Sequence, residues 1–207
     1  GGLKEKLFMK AITLGTKKYE NPGSLTMGEK ITDALVDKLV RDKVRGNFGG
    51  RLKVLVSGGA PLNTDIGIFF TALGLTLLQG YGQTESAPVI SVNRLNLVKM
   101  ETVGPPLFET EVKIAEDGEI LVRGDLLMTG YWQNDEATNE VIKDGWLHTG
   151  DVGHMDEDNY IQITDRKKDI IVNSGGDNLS PQRVEGFLTL EPEIAQAMVY
   201  GDRKPHI

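Results

Sequence analysis

Apolar residues recur at helical spacing in the first part of this chain and then alternate in short strands after about residue 100. Leucines and alanines at helical spacing, with lysines between them, predict an amphipathic helix over residues 3–18. The segment Asn21-Pro22-Gly23-Ser24 breaks that helix. Thr26, with Glu29 three residues later, is typical of a capping box. It predicts a second, long helix that ends at Gly46.

The second helix carries two apolar series and a run of charges. We expect both apolar series to lie on its core-facing side: Ile31, Leu35, Leu39, and Val36, Val40, Val44. The charges are typical of a solvated face: Lys38, Arg41, Asp42, Lys43, Arg45.

A strand, a glycine-rich turn, a helix and another strand follow in that order. Residues 52–56 predict the first strand, which enters the turn Ser57-Gly58-Gly59-Ala60-Pro61. Asn63 then caps a helix, and residues 75–78 predict the second strand. The core-facing side of the helix is predicted to hold Ile66, Phe69, Phe70 and Leu73. This order is typical of a βαβ unit with a parallel sheet.

The segment Gln79-Gly80-Tyr81-Gly82-Gln83-Thr84-Glu85-Ser86 would follow the second strand, at the sheet edge where open α/β folds bind ligands. Its glycines allow close backbone approach, its tyrosine offers a flat face for a base, and Glu85 offers an oxygen ligand for the Mg²⁺ of a triphosphate. A tight turn whose Thr84 and Glu85 begin a helix is the alternative. Residues 57–61 are not a P-loop, because no Gly-Lys-Ser/Thr follows them. Gly80-Tyr81-Gly82 is not a dinucleotide fingerprint, because Glu85 stands where the third glycine would be.

Short, mostly alternating strands separated by turns follow, at residues 111–114, 119–123 and 160–163. They predict a small β-barrel or sandwich. Polar clusters occur at residues 146–151 and 165–169. A strand at residues 170–172, a helix opened by Ser180-Pro181 and a strand at residues 195–200 complete the pattern. The chain is therefore predicted to be of the α/β class, with an α/β part (1–101), a β-rich part (102–165) and a last part with strands and a helix (166–207).

Composition narrows the classes of function. The 207 residues carry a formal net charge of −7, which argues against nonspecific nucleic-acid binding. The sequence has no cysteine, so it forms no disulfide or thiolate metal site and suits a reducing compartment. The longest apolar run, residues 66–78, is interrupted and is shorter than the roughly 18 residues of a membrane span. We expect a soluble, cytoplasmic chain.

Four motifs in this order resemble the adenylate-forming enzymes, a superfamily of acyl-CoA synthetases, luciferases and peptide-synthetase adenylation domains. The resemblance is closest to the long-chain fatty-acyl-CoA ligases. The motifs are the Tyr-Gly-x-Thr-Glu segment at residues 79–86, Gly118-Glu119-Ile120 through Gly130-Tyr131-Trp132, Trp146 to Asp151, and the hinge motif from Asp165 to Lys168 with Gly175, Gly176 and Glu185.

The resemblance implies an ATP-dependent ligase that forms an acyl-adenylate from a fatty acid and then transfers the acyl group to coenzyme A, with Mg²⁺. It also implies a central-to-C-terminal fragment that is inactive alone, because the family's phosphate loop would precede residue 1 and its carboxylate-contacting lysine would follow Ile207. By the same resemblance, residues 1–101 would be a partial nucleotide-binding α/β subdomain, and residues 166–207 a hinge with the start of an α+β C-terminal lid. Two alternatives stay open: a ligase for another acyl or aryl acid, and a nucleotide-binding module without turnover. Peripheral membrane association and oligomeric state are left open.

The resemblance also implies the residues of the site. Those expected to contact the nucleotide are Gly58, Gly59, Ala60, Pro61, Gln79, Gly80, Tyr81, Gly82, Thr84, Asp151 and Arg166. Tyr81 would stack on adenine, or else pack in the core, and Gln79 would bond the adenine amine. Thr84 would bond the α-phosphate, or cap a helix. Glu85 would ligate Mg²⁺, or only favour a helix start.

Further roles follow from the second half of the chain. Asp151 would accept both ribose hydroxyls, or be a surface-turn aspartate, and Arg166 would support ribose and phosphate, or form a structural ion pair. Lys168 would be the hinge at which the small C-terminal domain rotates between the two reaction steps. Thr84 and Glu85 are the other residues expected to take part in catalysis. Gly175 and Gly176 would let the pantetheine arm of coenzyme A pass close to the backbone, or would form a simple hairpin turn. His148 and His154 are interpreted as structural.

Overall fold

The computed structural model describes residues 2–172 and 178–201. The chain divides into two compact units, Gly1–Tyr81 with Asn93–Glu101, and Gly82–Val92 with Thr102–Ile207. Helices and sheets are mixed, which confirms the predicted α/β class. A membrane span would need a longer and more apolar helix than any found in the described ranges.

The first unit begins with α1 (Leu3–Glu20) and α2 (Met27–Val36), followed by a π-helical turn (Asp37–Arg41) and α3 (Asp42–Asn47). The predicted capping box is present at the start of α2. The backbone N–H of Glu29 donates to the Thr26 hydroxyl at 3.3 Å, and the N–H of Thr26 donates to the Glu29 carboxylate at 2.8 Å. The buried cluster of these helices consists of Ala11, Leu14, Leu25 and Val36.

The prediction that both apolar series of the second helix face the core was wrong. Val36 is fully buried, and Val40 packs against the same cluster. Ile31, Leu35 and Leu39 instead remain 71%, 53% and 41% exposed. A helix that packs with one face can bury only one stripe, and the valine stripe occupies that face here.

Arg41 is buried, so its assignment to a solvated face was also wrong. Its guanidinium donates to Asp33 Oδ1 at 2.7 Å, to the Ala72 carbonyl at 2.7 Å and to the Ala11 carbonyl at 2.9 Å. These partners satisfy a charge that would otherwise be costly to bury. The neighbouring Lys38, Asp42 and Lys43 are exposed, as predicted.

The βαβ unit is confirmed as β1 (Leu55–Ser57), α4 (Thr64–Ala72) and β2 (Leu77–Tyr81), with β1 and β2 parallel. Asn63 caps α4, since its side-chain oxygen accepts the N–H of Ile66 at 3.2 Å. Two details differ from the prediction. Strand β2 continues through Tyr81, so the first residues of the polar segment lie within it. In α4, Ile66 and Phe69 remain 45% and 38% exposed.

The second unit contains the short strand β3 (Ser91–Val92) and an antiparallel five-stranded sheet. The sheet strands are β4 (Glu111–Ile114), β5 (Glu119–Arg123), β6 (Ile142–Lys143), β7 (Trp146–Met155) and β8 (Ile161–Arg166). Their order is β4-β5-β7-β6, and β8 also pairs with β7. Helix α5 (Asp135–Val141) precedes β6. Among the described residues this sheet is not closed into the barrel that the strand pattern suggested.

The end of the described chain holds an antiparallel pair, β9 (Ile171–Val172) with β10 (Asn178–Leu179), and helix α6 (Pro181–Leu188). Ser180 caps α6 by accepting the N–H of Arg183 at 3.3 Å, as the Ser-Pro pattern predicts. The strand predicted at residues 195–200 is not formed. The backbone N–H of Val199 donates at 2.8 Å to the side-chain carboxylate of Glu185, and not to a carbonyl of a neighbouring strand.

Candidate functional site

In the first unit, the predicted adenine-contacting residues lie at the carboxyl ends of β1 and β2. Ser57 pairs with Gln79, which brings the turn at residues 58–61 beside the end of β2. A Cβ on Gly58 would lie 3.3 Å from the Gly80 carbonyl oxygen, so the two backbones are close. Residues 58–61 are exposed. This is the sheet edge at which parallel α/β folds bind ligands.

Gln79 and Tyr81 project from β2 into different surroundings from those of the exposed turn. Gln79 is buried, and its side-chain N–H group donates to the Met100 carbonyl. That bond directs the amide nitrogen inward and fixes the orientation of the side chain. Tyr81 is 9% exposed, so most of the residue is packed within the protein. The proposed adenine contacts of both residues stay predictions.

In the second unit, residues 82–86 form a tight loop ending in a 3₁₀ turn (Thr84–Ser86). The N–H of Gln83 donates to the Ser86 hydroxyl at 3.1 Å, and that hydroxyl donates back to the Gln83 carbonyl at 2.9 Å. Gly82 lies so close to the Pro88 carbonyl that a Cβ would overlap it. The glycine is therefore required by the loop itself. Thr84 projects from this rigid turn and is exposed.

Glu85 is contacted by Tyr131, a residue to which the sequence analysis assigned no role. The Tyr131 hydroxyl donates to Glu85 Oε1 at 2.7 Å, and the carboxylate raises the pKa of Tyr131. No group of three or more acidic, histidine or cysteine side chains that could hold a metal occurs in the described part of the chain. A single carboxylate nevertheless fits Mg²⁺ bound mainly by substrate phosphates.

Asp151 and Arg166 face each other across β7 and β8. Their Cα positions pair in the antiparallel ladder, and Arg166 Nε donates to Asp151 Oδ1 at 3.2 Å. The Asp151 side chain is 8% exposed and that of Arg166 is 65% exposed. Asp151 is therefore not the surface-turn aspartate that the sequence analysis kept as an alternative. The Gln83 amide donates to the Thr149 carbonyl at 3.4 Å, which links the first and third motifs.

Of the remaining predicted positions, the structure describes Lys168, His148 and His154. Lys168 is exposed in the turn after Arg166. Gly175 and Gly176 lie outside the described residues. His148 contacts a buried carboxylate, Glu119, at 3.1 Å. Glu119 belongs to the Gly118-Glu119-Ile120 motif but received no role, because its partners are distant in sequence.

Comparison with known proteins identifies a family for this chain. A family model described as AMP-binding enzyme matches residues 16–132. The long-chain-fatty-acid–CoA ligase FadD15 of Mycobacterium bovis is 46% identical over 174 residues, which cover 84% of this chain and 29% of that protein. A feruloyl-CoA synthase of an Amycolatopsis species is 41% identical over 166 residues, covering 74% of this chain and 34% of that protein.

A solved structure shares the same fold. It is the o-succinylbenzoate CoA synthetase MenE of Bacillus subtilis in complex with its acyl-adenylate intermediate. The two share 29% identity with a TM-score of 0.69, over 79% of this chain and 37% of MenE. The present chain thus spans about a third of the length of each of these proteins.

Proposed function

The chain belongs to the AMP-binding enzyme family, and we propose that it supplies nucleotide-binding residues to an ATP-dependent ligase that joins a long-chain fatty acid to coenzyme A. The supporting observation is that residues from separate family motifs are in hydrogen-bond contact, Glu85 with Tyr131 and Asp151 with Arg166. A ligase of this class uses ATP, Mg²⁺ and coenzyme A.

The proposed reaction has two steps. The carboxylate of the acid attacks the α-phosphate of ATP, giving an acyl-adenylate and pyrophosphate. The thiol of coenzyme A then displaces AMP and forms the thioester. Negative charge develops on the α-phosphate and on the leaving pyrophosphate during the first step, so the protein must provide donors and cations there.

The proposed roles follow the chemistry of each side chain. Thr84, which is exposed, donates a hydrogen bond from its hydroxyl to an α-phosphate oxygen. Glu85 holds Mg²⁺, which neutralises phosphate charge when it is bound. Tyr131 orients the Glu85 carboxylate through their hydrogen bond.

Asp151 accepts the two ribose hydroxyls, because one carboxylate offers two acceptor oxygens at adjacent positions. Arg166 orients Asp151 through Nε and presents the rest of its guanidinium toward solvent and phosphate. On the first unit, the backbone of residues 58–61 contacts adenine together with Tyr81, while Gln79 bonds its exocyclic amine.

The acid is the least constrained part of the proposal. The 46% identity to FadD15 favours a long-chain fatty acid. The 41% identity to a feruloyl-CoA synthase supports an aryl acid as the second candidate. Both candidates share the adenylate chemistry and differ only in the acyl pocket.

The test is pyrophosphate release by the full protein encoded by the gene, with ATP and Mg²⁺, and with palmitate, dodecanoate, acetate or ferulate. We expect release only when an acid is present, and fastest with palmitate. Preference for ferulate would support the aryl candidate. Nucleotide binding without pyrophosphate release from any acid would indicate a binding module, and ATP turnover that ignores the acid would contradict the proposal.

A further inference from the structure

Glu119 is a buried carboxylate that joins three segments of the second unit. Its side chain is 6% exposed. Oε1 accepts the backbone N–H of Gly150 at 2.9 Å. Oε2 is contacted by His148 Nδ1 at 3.1 Å and accepts from the Lys167 ammonium at 3.0 Å. One side chain thus contacts the residue before Asp151 and the residue before Lys168.

Both backbone groups of Gly150, its N–H and its carbonyl, are hydrogen-bonded. Its N–H donates to Glu119, and its carbonyl accepts the N–H of Lys167 at 2.8 Å. Because Lys167 also donates to Glu119 through its ammonium group, the three residues close a ring of hydrogen bonds. A shift of the β7 backbone at Gly150 would lengthen or break these bonds.

Further hydrogen bonds hold the backbone next to Asp151. The N–H of Asp151 donates to the Thr149 hydroxyl at 3.1 Å, and that hydroxyl donates to the Ile120 carbonyl at 2.7 Å. The two residues that precede Asp151 are therefore both bonded to the start of β5, Thr149 through Ile120 and Gly150 through Glu119. The Asp151 carboxylate is one side chain away from this anchored backbone.

Glu119 stays charged in this position. Burial alone would raise the pKa of Glu119, but hydrogen bonds from His148, Lys167 and Gly150 outweigh burial and leave the pKa below its usual range. A charged acceptor forms stronger hydrogen bonds than a neutral one, so ionised Glu119 strengthens the bonds of the ring.

We propose that Glu119 is a positioning residue that fixes the Asp151 carboxylate in the orientation that recognises the ribose hydroxyls of the nucleotide. The inference rests on the proposed function, because it takes Asp151 to be the ribose-binding group. Glu119 itself does not touch the nucleotide. Its effect is therefore on discrimination between nucleotides with and without a ribose hydroxyl.

The test compares dissociation constants for AMP and 2′-deoxy-AMP in the full protein. Wild type should bind AMP more tightly. In Glu119→Gln the volume is kept and the charge is lost, and we expect the preference for AMP to fall about tenfold, as for a charged hydrogen bond of about 1.5 kcal/mol. Glu119→Ala should reduce it at least as far. A variant that merely destabilised the fold would weaken both ligands alike and leave the ratio unchanged.

Two controls separate the possible explanations. Glu111→Gln removes an exposed carboxylate of the same sheet, which pairs with Arg123 at 2.6 Å, and should leave the ratio unchanged. Asp117→Asn removes the charge of the other carboxylate bonded to Lys167, at 2.6 Å, but keeps an Oδ1 that can accept the Glu119 N–H, and it should also leave the ratio unchanged. Thermal unfolding midpoints identify folded variants, and Glu119→Gln decides the matter if Glu119→Ala does not fold.

If Asp151→Asn lowers the preference for AMP but folded Glu119→Gln leaves it unchanged, the inference is overturned. If Asp151→Asn also left the ratio unchanged, the ribose role of Asp151 and the inference would both fail. Acid-dependent pyrophosphate release, measured on the same wild-type preparation, shows separately whether the protein is a ligase.

Discussion

At the scale of single residues, the burial of Asp151 decides what its substitution should do. The sequence analysis kept a surface-turn aspartate as the alternative for Asp151, and such a residue would contribute little to stability. Its side chain is instead 8% exposed and bonded to Arg166. A buried carboxylate that loses its hydrogen bonds carries a larger stability effect than an exposed one. Binding and stability are therefore coupled at this residue.

We predict that Asp151→Ala abolishes measurable AMP binding and lowers the free energy of unfolding by about 1–3 kcal/mol. Asp151→Asn keeps the shape and one acceptor oxygen, so it should lose most of the binding and less of the stability. Calorimetric titration with AMP and thermal unfolding of the same samples measure both effects. Full AMP affinity in Asp151→Ala would show that this residue does not contact ribose.

At the scale of elements, α1 and α4 approach each other through a glycine. A Cβ on Gly15 would lie 2.6 Å from the Ala72 Cβ and closer still to the Ala72 backbone. Real side chains do not approach so closely, and Ala72 has no long, flexible side chain that could move aside. The contact between these helices therefore needs a residue without a Cβ at this position.

We predict that Gly15→Ala lowers the free energy of unfolding by about 1–3 kcal/mol, as overpacking does elsewhere. Gly28→Ala is the matched control in α2, because a Cβ there would meet nothing within 4 Å. That substitution should be neutral or stabilise by up to about 1 kcal/mol. Equal thermal midpoints for the two variants would contradict the close contact.

The capping box of α2 gives a prediction for pH. Glu29 has its pKa lowered from 4.5 to about 2, chiefly by its hydrogen bond from Lys17 and also by the Thr26 N–H. A lowered pKa in the folded state means that its stabilising effect is complete above pH 4.5 and is lost as the pH falls toward 2. The difference in thermal midpoint between wild type and Glu29→Gln should therefore shrink between pH 6 and pH 3.

Lys17→Met provides the check on that cause. It removes the largest contribution to the lowered pKa, so the pH-dependent part of the difference should become smaller in its background. A difference that is constant from pH 6 to pH 3 would mean that the carboxylate of Glu29 makes no contribution through its charge.

Elements held by local bonds were predictable, and those held by distant partners were not. The caps at Thr26, Asn63 and Ser180 each act on a backbone N–H three residues later, so a short pattern contains both partners. Arg41 bonds to carbonyls that are 30 and 31 residues away. No local charge pattern separates such an arginine from its solvated neighbours.

At the scale of the whole molecule, the candidate site shows the same limit. The motifs identified Glu85, Asp151 and Arg166 as a set, and a β7–β8 hairpin explains why Asp151 meets a residue 15 positions later. The partners of Glu119 lie 29, 31 and 48 residues away, two of them in strand β7 and the third in the turn after β8. Their meeting depends on the sheet order β4-β5-β7-β6, which strand patterns do not determine.

Lys168 lies at the end of that sheet, and its proposed role as a hinge concerns the whole enzyme. Lys167 is tied to Glu119 and Gly150, whereas the Lys168 side chain is exposed. The Arg166 carbonyl accepts the N–H groups of Asp169 and Ile170 at 2.9 and 3.1 Å, so Lys168 lies within a hydrogen-bonded turn at the end of the sheet. A rotation that alternates between adenylate formation and thioester formation would change the backbone dihedrals of residue 168 within this turn.

We predict that Lys168→Pro slows thioester formation more than adenylate formation, because proline holds φ near −65° and blocks a switch between two backbone states. Lys168→Ala keeps the backbone free and should alter the ratio of the two rates little. Single-turnover assays on the full protein can follow pyrophosphate release for the first step, and AMP release on addition of coenzyme A for the second. If proline slowed both steps by the same factor, the change would be one of general structure, and residue 168 would not be the hinge.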